Sequence, residues 1–313
     1  MNWRKLGHIF DPKPHGFFGD YSAFAQSPQA LVFDDFVRIY FSTREPDGDG
    51  MFKSHIRYVD MTPSFDVIAV SHDPVIPLGK LGTFDEHGIF PFHVTRTDDG
   101  LYGYTSGWSR RESVSVETGI GLTVSHDDGR TFERIGAGPV LSANLDEPFL
   151  VGDPFVFSND QRYMYYIYGT TWKTGPDGVA ERTYKIALAT SADGRTFTRH
   201  GRIVDDVIPD ESQALPTVFE VGGRYHMVFC FRDTFGFRTD PTRGYRLGYA
   251  YSDDLVSWTR DDDALGFERS DSGWDAGMEC YPHVFEMNGR QYLLYNGNAF
   301  GRDGFGVAVL EDV

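Results

Sequence analysis

The sequence predicts an all-β fold, a five-bladed β-propeller closed by an N-terminal strand that joins the fifth blade. Two observations predict it. A proline ahead of an apolar segment recurs at Pro28, Pro91, Pro154, Pro216 and Pro282, at intervals of 63, 63, 62 and 66 residues. Each repeat also holds several short segments with strand character, and a repeat of this length made of four strands is the unit of a propeller.

The elements follow in order within each repeat. The proline-led segment is the first strand. After a turn comes a second, often Tyr-rich: RIYFSTR at 38–44, GLYGYTSGW at 100–108, QRYMYYIYG at 161–169, GRYHMVFCFR at 223–232 and GRQYLLYNGN at 289–298. Each pair reads as a hairpin. Third strands are IRYVDM, GIGLTVS, YKIALATS, YRLGYAYS and FGVAVLE. Three of them run into a polar turn and an aromatic-led fourth strand, namely SHDDGRTFERIG, SADGRTFTRHG and SDDLVSWTRDD; VIAVSHDP at 67–74 is the candidate in the first repeat. The fifth repeat ends after its third strand. Its fourth is expected from the N-terminus, because Trp3-Arg4-Lys5-Leu6-Gly7 resembles Phe132-Glu133-Arg134-Ile135-Gly136 and Phe197-Thr198-Arg199-His200-Gly201. Closure by both termini removes an open sheet edge. Residues 1–313 are expected to form one domain, since no linker or low-complexity stretch divides them.

Composition narrows the function. Aromatic residues make up 15% of the chain and there are 35 glycines, which suits short strands and tight turns. The formal charge of −17 opposes binding to nucleic acid or to an acidic membrane surface. Cys230 and Cys280 match no metal or redox spacing and imply no disulfide. The opening MNWRKLGHIF lacks the apolar stretch of a secretory signal, and no apolar run is long enough to span a bilayer. A cytoplasmic protein without membrane insertion is expected, its partner a small-molecule or oligosaccharide substrate. No cofactor is expected, and no metal-ligand spacing is present.

SHDDGRTF matches an Asp-box, in which Asp127 and Gly129 shape a turn that Phe132 anchors, and SADGRTF is a looser copy. The box lies between third and fourth strands and reads as structural. Sialidases carry it too, but with six blades and an arginine triad.

The residues ahead of each proline should converge at the channel mouth, where the innermost strands begin. The second repeat offers Asp85, Glu86 and His87; the third Asp153; the fourth Asp210 and Glu211; the fifth Asp275 and Glu279; the first only Asp20, further upstream. Acids from separate blades meeting in one cavity repel one another, so at least one should have a raised pKa. Such a pairing serves glycoside hydrolysis, where one carboxylic acid protonates the leaving oxygen and another carboxylate activates water or attacks the anomeric carbon. Each acid taken singly has a bland use, capping a turn or sitting solvated on a rim.

The five-blade pattern, the SDDLVSW turn, the Asp-Pro at 153–154 and the Glu-Cys at 279–280 resemble the superfamily that contains glycoside hydrolase families 32, 43, 68 and 130. The resemblance covers the whole chain at the level of fold and is closest to uncharacterised single-domain propellers associated with bacterial surface-polysaccharide genes. It implies a glycosidase or transglycosidase, with Asp85 or Glu86 as base, Asp153 orienting the substrate and Glu211 as acid. Glu279 is the rival for the acid, since Glu-Cys resembles the acid motif of family 32. A family-130-like phosphorylase, with arginines holding phosphate, and a non-catalytic carbohydrate-binding propeller are the alternatives. Trp108, Trp172, Trp274 and Tyr281 are candidates for stacking on a sugar. Arg110, Arg111, Arg232, Arg238 and Arg243 are placed in loops on one side, a pattern that suits an anionic group on the ligand. His15, His87, His93 and His283 are candidates for hydroxyl contacts.

Overall fold

A computed structural model describes residues 1–19 and 24–312. The chain begins with β1 (Asn2–Phe10). The first blade follows as β2 (Gln26–Val32), β3 (Val37–Pro46), β4 (Phe52–Met61) and β5 (Val67–Val70). The second comprises β6 (Gly88–Thr97), β7 (Gly100–Arg110), β8 (Val116–Ser125) and β9 (Glu133–Arg134). In the third are β10 (Val151–Ser158), β11 (Arg162–Thr174), β12 (Ala180–Ser191) and β13 (Thr198–Arg202). The fourth holds β14 (Ser212–Val221), β15 (Arg224–Arg232), β16 (Arg246–Ser252) and β17 (Thr259–Arg260). The fifth has β18 (Cys280–Met287), β19 (Arg290–Asn296) and β20 (Phe305–Asp312), with the short helix α1 (Asn298–Gly301) before its last strand.

Strand pairing within each blade is antiparallel, and only a single parallel bridge, Ser54 to Gly88, joins the first two blades. β1 lies beside β20, with Trp3 opposite Leu310 and Lys5 opposite Ala308, so the N-terminal strand is the outer strand of the fifth blade. The innermost strands pack side by side in the order β2, β6, β10, β14, β18, and β18 packs against β2. That last contact closes the ring. The fourth strand of the first blade is shorter than the expected 67–74, ending at Val70.

The repeating proline has a structural counterpart. Every innermost strand carries a register shift beside it: between Gln26 and Gln29, Ile89 and Phe92, Gly152 and Phe155, Ala214 and Thr217, Cys280 and His283. In four blades the residue before the proline has a left-handed backbone: Ser27 (φ 54°), Asp153 (φ 52°), Leu215 (φ 48°) and Tyr281 (φ 57°). Proline has no N–H to give to the ladder, so it belongs at such a bulge. A bulge re-aims the side chain next to it.

Two further repeats hold blade to blade. The hydroxyls of Tyr40, Tyr104 and Tyr165 donate to the carbonyls of Gly129, Gly194 and Leu255 at 2.8, 2.9 and 2.8 Å, from a second strand to the polar turn of the next blade. Those turns are built alike: Asp127, Asp193 and Asp254 each accept from a serine hydroxyl and from two backbone N–H groups. Those backbone donors hold the Asp193 and Asp254 carboxyls down at about 2. Both cysteines are buried and free. No helix among the described residues is long and apolar enough to cross a membrane.

Candidate functional site

A cavity of about 220 Å³ opens at the end of the ring where the innermost strands begin, and all five blades line it. In an antiparallel blade the start of the first strand, the end of the second and the start of the third share one rim. The walls follow that rule. Asp153 and Tyr281 come from the first strands; Arg44, Ser106, Trp108 and Arg232 from the ends of second strands; Phe52 with Ser54 and Arg182 with Tyr184 from the starts of third strands. Residues two apart on a strand face the same way, which is why these last pairs line the wall together. Trp108 packs against Gly88, where an added Cβ would stand 2.2 Å from its Nε1, so only glycine admits the indole there.

Asp153 is the one carboxylate among the described lining residues. It is 8% exposed, and its Oδ2 accepts the Leu215 N–H at 3.3 Å. Burial pushes its pKa up to about 7, outweighing that hydrogen bond and the nearby Arg182 guanidinium. A raised carboxyl was expected from repulsion between acids; desolvation is the cause instead.

Around it are guanidiniums. Arg232 is 1% exposed, stacked on Phe237 at 3.6 Å, with Nη1 donating to the carbonyls of Asp233 (2.8 Å) and Thr234 (3.3 Å) and Nε without a partner. Arg182 donates to the Ser115 hydroxyl at 3.1 Å, and Arg238 is paired with Glu181. Arg44 holds the Gln26 side chain at 2.8 Å. The hydroxyls of Tyr184 and Tyr245 are hydrogen-bonded to each other beside Arg232.

The other acids do not meet here, and this corrects the expectation of a shared carboxylate pocket. Asp85 accepts from Arg134 Nε at 2.8 Å, and Glu86 accepts the Gly82 N–H at 2.6 Å and sits 3.3 Å from His87. Glu211, 0% exposed, is held by Arg260 at 2.6 Å and Gln213 at 2.8 Å. Asp275 and Glu279 share Lys5, at 2.8 and 2.7 Å. Burial raises the Glu279 carboxyl in spite of Lys5. For Asp275 burial is outweighed by Lys5, Ser270 and Tyr295, which hold it low. Asp210 is exposed and paired with Lys173.

These pairs are one device repeated. Arg134, Arg199, Arg260 and Lys5 each stand two residues after the aromatic that opens an outer strand, and each binds an acid on the segment leading into its blade's innermost strand: Asp85, Glu147, Glu211, and Asp275 with Glu279. The acids fasten that segment to the outer strand. Asp20 lies outside the described residues.

The remaining candidates divide. Trp108, Arg232, Arg238 and Tyr281 line the cavity. His87 stacks behind Trp108 with ring centroids 5.9 Å apart, and Arg110 is paired with Asp47 at 2.7 Å. Trp172 lies against Arg182 outside the lining, Trp274 stacks on Tyr295, and Arg111 and Arg243 pair with Glu117 and Asp240 at the surface. His15 stacks between Phe10 and Phe17, away from the cavity. His283 and His93 lie further along the innermost strands with Phe155, their ring centroids 6.1 Å apart. Burial lowers them to about 3 and about 4, so both are neutral at pH 7. Sequence reasoning missed Arg44, Arg182, Tyr184 and Tyr245. The signal was present in the strand order, since the segments ahead of the prolines are only one of three sources for the rim.

No family model matches the chain. Two uncharacterized proteins, MT1551 and Rv1502 of Mycobacterium tuberculosis, are each 32% identical to it over 315 residues, covering 100% of both chains. The chain belongs to their family. This chain shares the fold of glycosidase propellers: a solved glycoside hydrolase superposes with a TM-score of 0.76 at 16% identity, over 99% of this chain and 92% of its own. A thermostable family-43 glycoside hydrolase gives 0.65 at 14% identity, over 92% and 89%. A structure from the GH130 family of mannoside phosphorylases, which contains glycoside hydrolases that target β-1,2 mannosidic linkages, gives 0.65 at 13%, over 99% and 90%.

Proposed function

We propose that the chain breaks or transfers glycosidic bonds in this cavity, with Asp153 as the proton donor. The observation that carries the reading is a buried carboxyl with a pKa of about 7 facing an aromatic-walled cavity. A carboxyl poised near the working pH is protonated often enough to give its proton to a leaving-group oxygen. As the C–O bond breaks, the proton passes from Asp153 to that oxygen and a nucleophile bonds to the anomeric carbon. The resemblance gives Asp153 an orienting role; its raised pKa supports the donor role. Trp108 and Tyr281 are the faces for the sugar ring.

Phosphorolysis is the second reading, favoured by the single carboxylate of the described lining. Hydrolysis uses a second carboxylate to activate water or to attack, whereas phosphate brings its own negative charge as nucleophile. Incubating the chain with a panel of aryl glycosides and disaccharides, with and without inorganic phosphate, tests both. Release in buffer alone supports hydrolysis, and release that requires phosphate supports the second reading. Tight sugar binding by calorimetry with no product in either arm would replace both with a binding propeller.

A further inference from the structure

We infer that the sugar held in this cavity carries an oxyanion of its own, a carboxylate or a phosphate, seated against Arg182 and Arg232. The inference rests on reading the cavity as a carbohydrate site and names the class of sugar. The chain has 46 acidic residues against 29 basic ones, yet its described cavity lining has four guanidiniums and one carboxyl, which burial pushes up to about 7. This inverts the charge of the molecule at one place.

Of the four guanidiniums Arg238 is paired with an acid, Glu181, and Arg44 holds the Gln26 side chain at the first blade. Arg232 and Arg182 remain. Neither is within ion-pair distance of a carboxylate among the described residues, and the contacts they make are neutral: backbone carbonyls and the Phe237, Tyr184 and Tyr245 rings for one, the Ser115 hydroxyl and the Trp172 ring for the other. A buried cation without a counter-charge is costly, and the Nε of Arg232 lacks even a neutral acceptor. Other buried bases among the described residues have been given acids, as Arg260 has Glu211, Arg38 has Asp60 and Lys185 has Asp206. A planar guanidinium matches the paired oxygens of a carboxylate or phosphate, and of the Tyr184 and Tyr245 hydroxyls beside it, which are bonded to each other, one keeps a proton to donate. A neutral sugar would leave the charge unanswered.

The test is calorimetry on the intact chain with matched pairs: methyl glucoside and methyl glucuronide, methyl galactoside and methyl galacturonide, glucose and glucose 6-phosphate, and inorganic phosphate alone. The expected result is that an anionic member binds about tenfold or more tightly than its neutral twin, the size of a charge-assisted contact. Arg182→Gln, at a partly exposed position, should erase that difference, and Arg232→Lys should weaken it. Preference for inorganic phosphate, lost in Arg182→Gln and with no preference between the sugar twins, would overturn the sugar-borne anion and assign the seat to a free co-substrate. Equal binding of the twins would overturn the inference while leaving the carbohydrate reading intact. Anion binding with no dependence on the sugar would overturn the carbohydrate reading and the inference with it. Failure of every anionic probe to bind overturns the inference whatever the neutral sugars do.

Discussion

The ammonium of Lys5 lies 2.7 Å from Oε1 of Glu279, across 274 residues of chain. This contact fastens the N-terminal strand to the segment that feeds the innermost strand of the fifth blade. It is the counterpart of Arg260 with Glu211 in the fourth, so ring closure reuses the bond that each of the other three described pairs uses inside a blade.

Lys5→Met should therefore destabilise the whole ring. It leaves Asp275 and Glu279 buried without a cation, and the expected loss is about 3 kcal/mol, as for breaking one side of a buried pair. Urea denaturation measures it. Adding Glu279→Gln should recover part of the loss, and a double variant worse than the single would contradict the pairing.

Glu211→Gln is expected to cost stability and spare chemistry. Arg260 would keep Asp262 but lose its buried partner, a loss of about 2 kcal/mol. Turnover per folded molecule should stay near that of the parent. A collapse of turnover with an unchanged melting temperature would return Glu211 to the role of acid.

Asp153→Asn separates activity from stability. Turnover should fall by about a hundredfold or more with binding retained, as for loss of a general acid. The pH dependence has a definite sign. The folded carboxyl titrates at about 7, far above the ordinary value in the unfolded chain, so the folded state holds its proton more tightly. The stability this contributes is present below about pH 4 and lost as pH rises through 7, by at most about 4 kcal/mol. Asn cannot ionise. The variant should match the parent at pH 4 and be the more stable of the two at pH 8; equal melting temperatures at pH 8 would show that Asp153 is not desolvated.

Tyr104→Phe should cost about 1–2 kcal/mol by leaving the buried Gly194 carbonyl without its donor. Tyr40→Phe and Tyr165→Phe should cost similar amounts, because the three bonds are copies. Thermal unfolding of the three variants checks it, and widely different losses would show that the blades are not held alike.

Much of the fold was legible because its signals are local. Proline marks the bulge of each innermost strand, and the serine-aspartate turns sit where the SHDDGRTF and SADGRTF segments put them. The likeness of Trp3–Gly7 to Phe132–Gly136 carried the closure, and even the basic residue of that match, Lys5 for Arg134, does the same work. The acids were harder. Asp85, Glu211 and Glu279 stand just ahead of the innermost strands as expected, but a segment entering a strand has two sides, and sequence spacing does not say which one a side chain takes. Glu147, which Arg199 binds, was passed over for the same reason.

By itself the sequence determined the number of repeats, the order of strands and the strand that completes the ring, since turn chemistry and alternation act over a few residues. The tertiary structure decided which side chains meet. Closing the ring turned the acids outward toward bases on the outer strands and brought Arg44, Arg182 and Arg232, from three different blades, around Asp153. Burial then set the charge of that cavity, because desolvation depends on what surrounds a group in space and not on its neighbours along the chain.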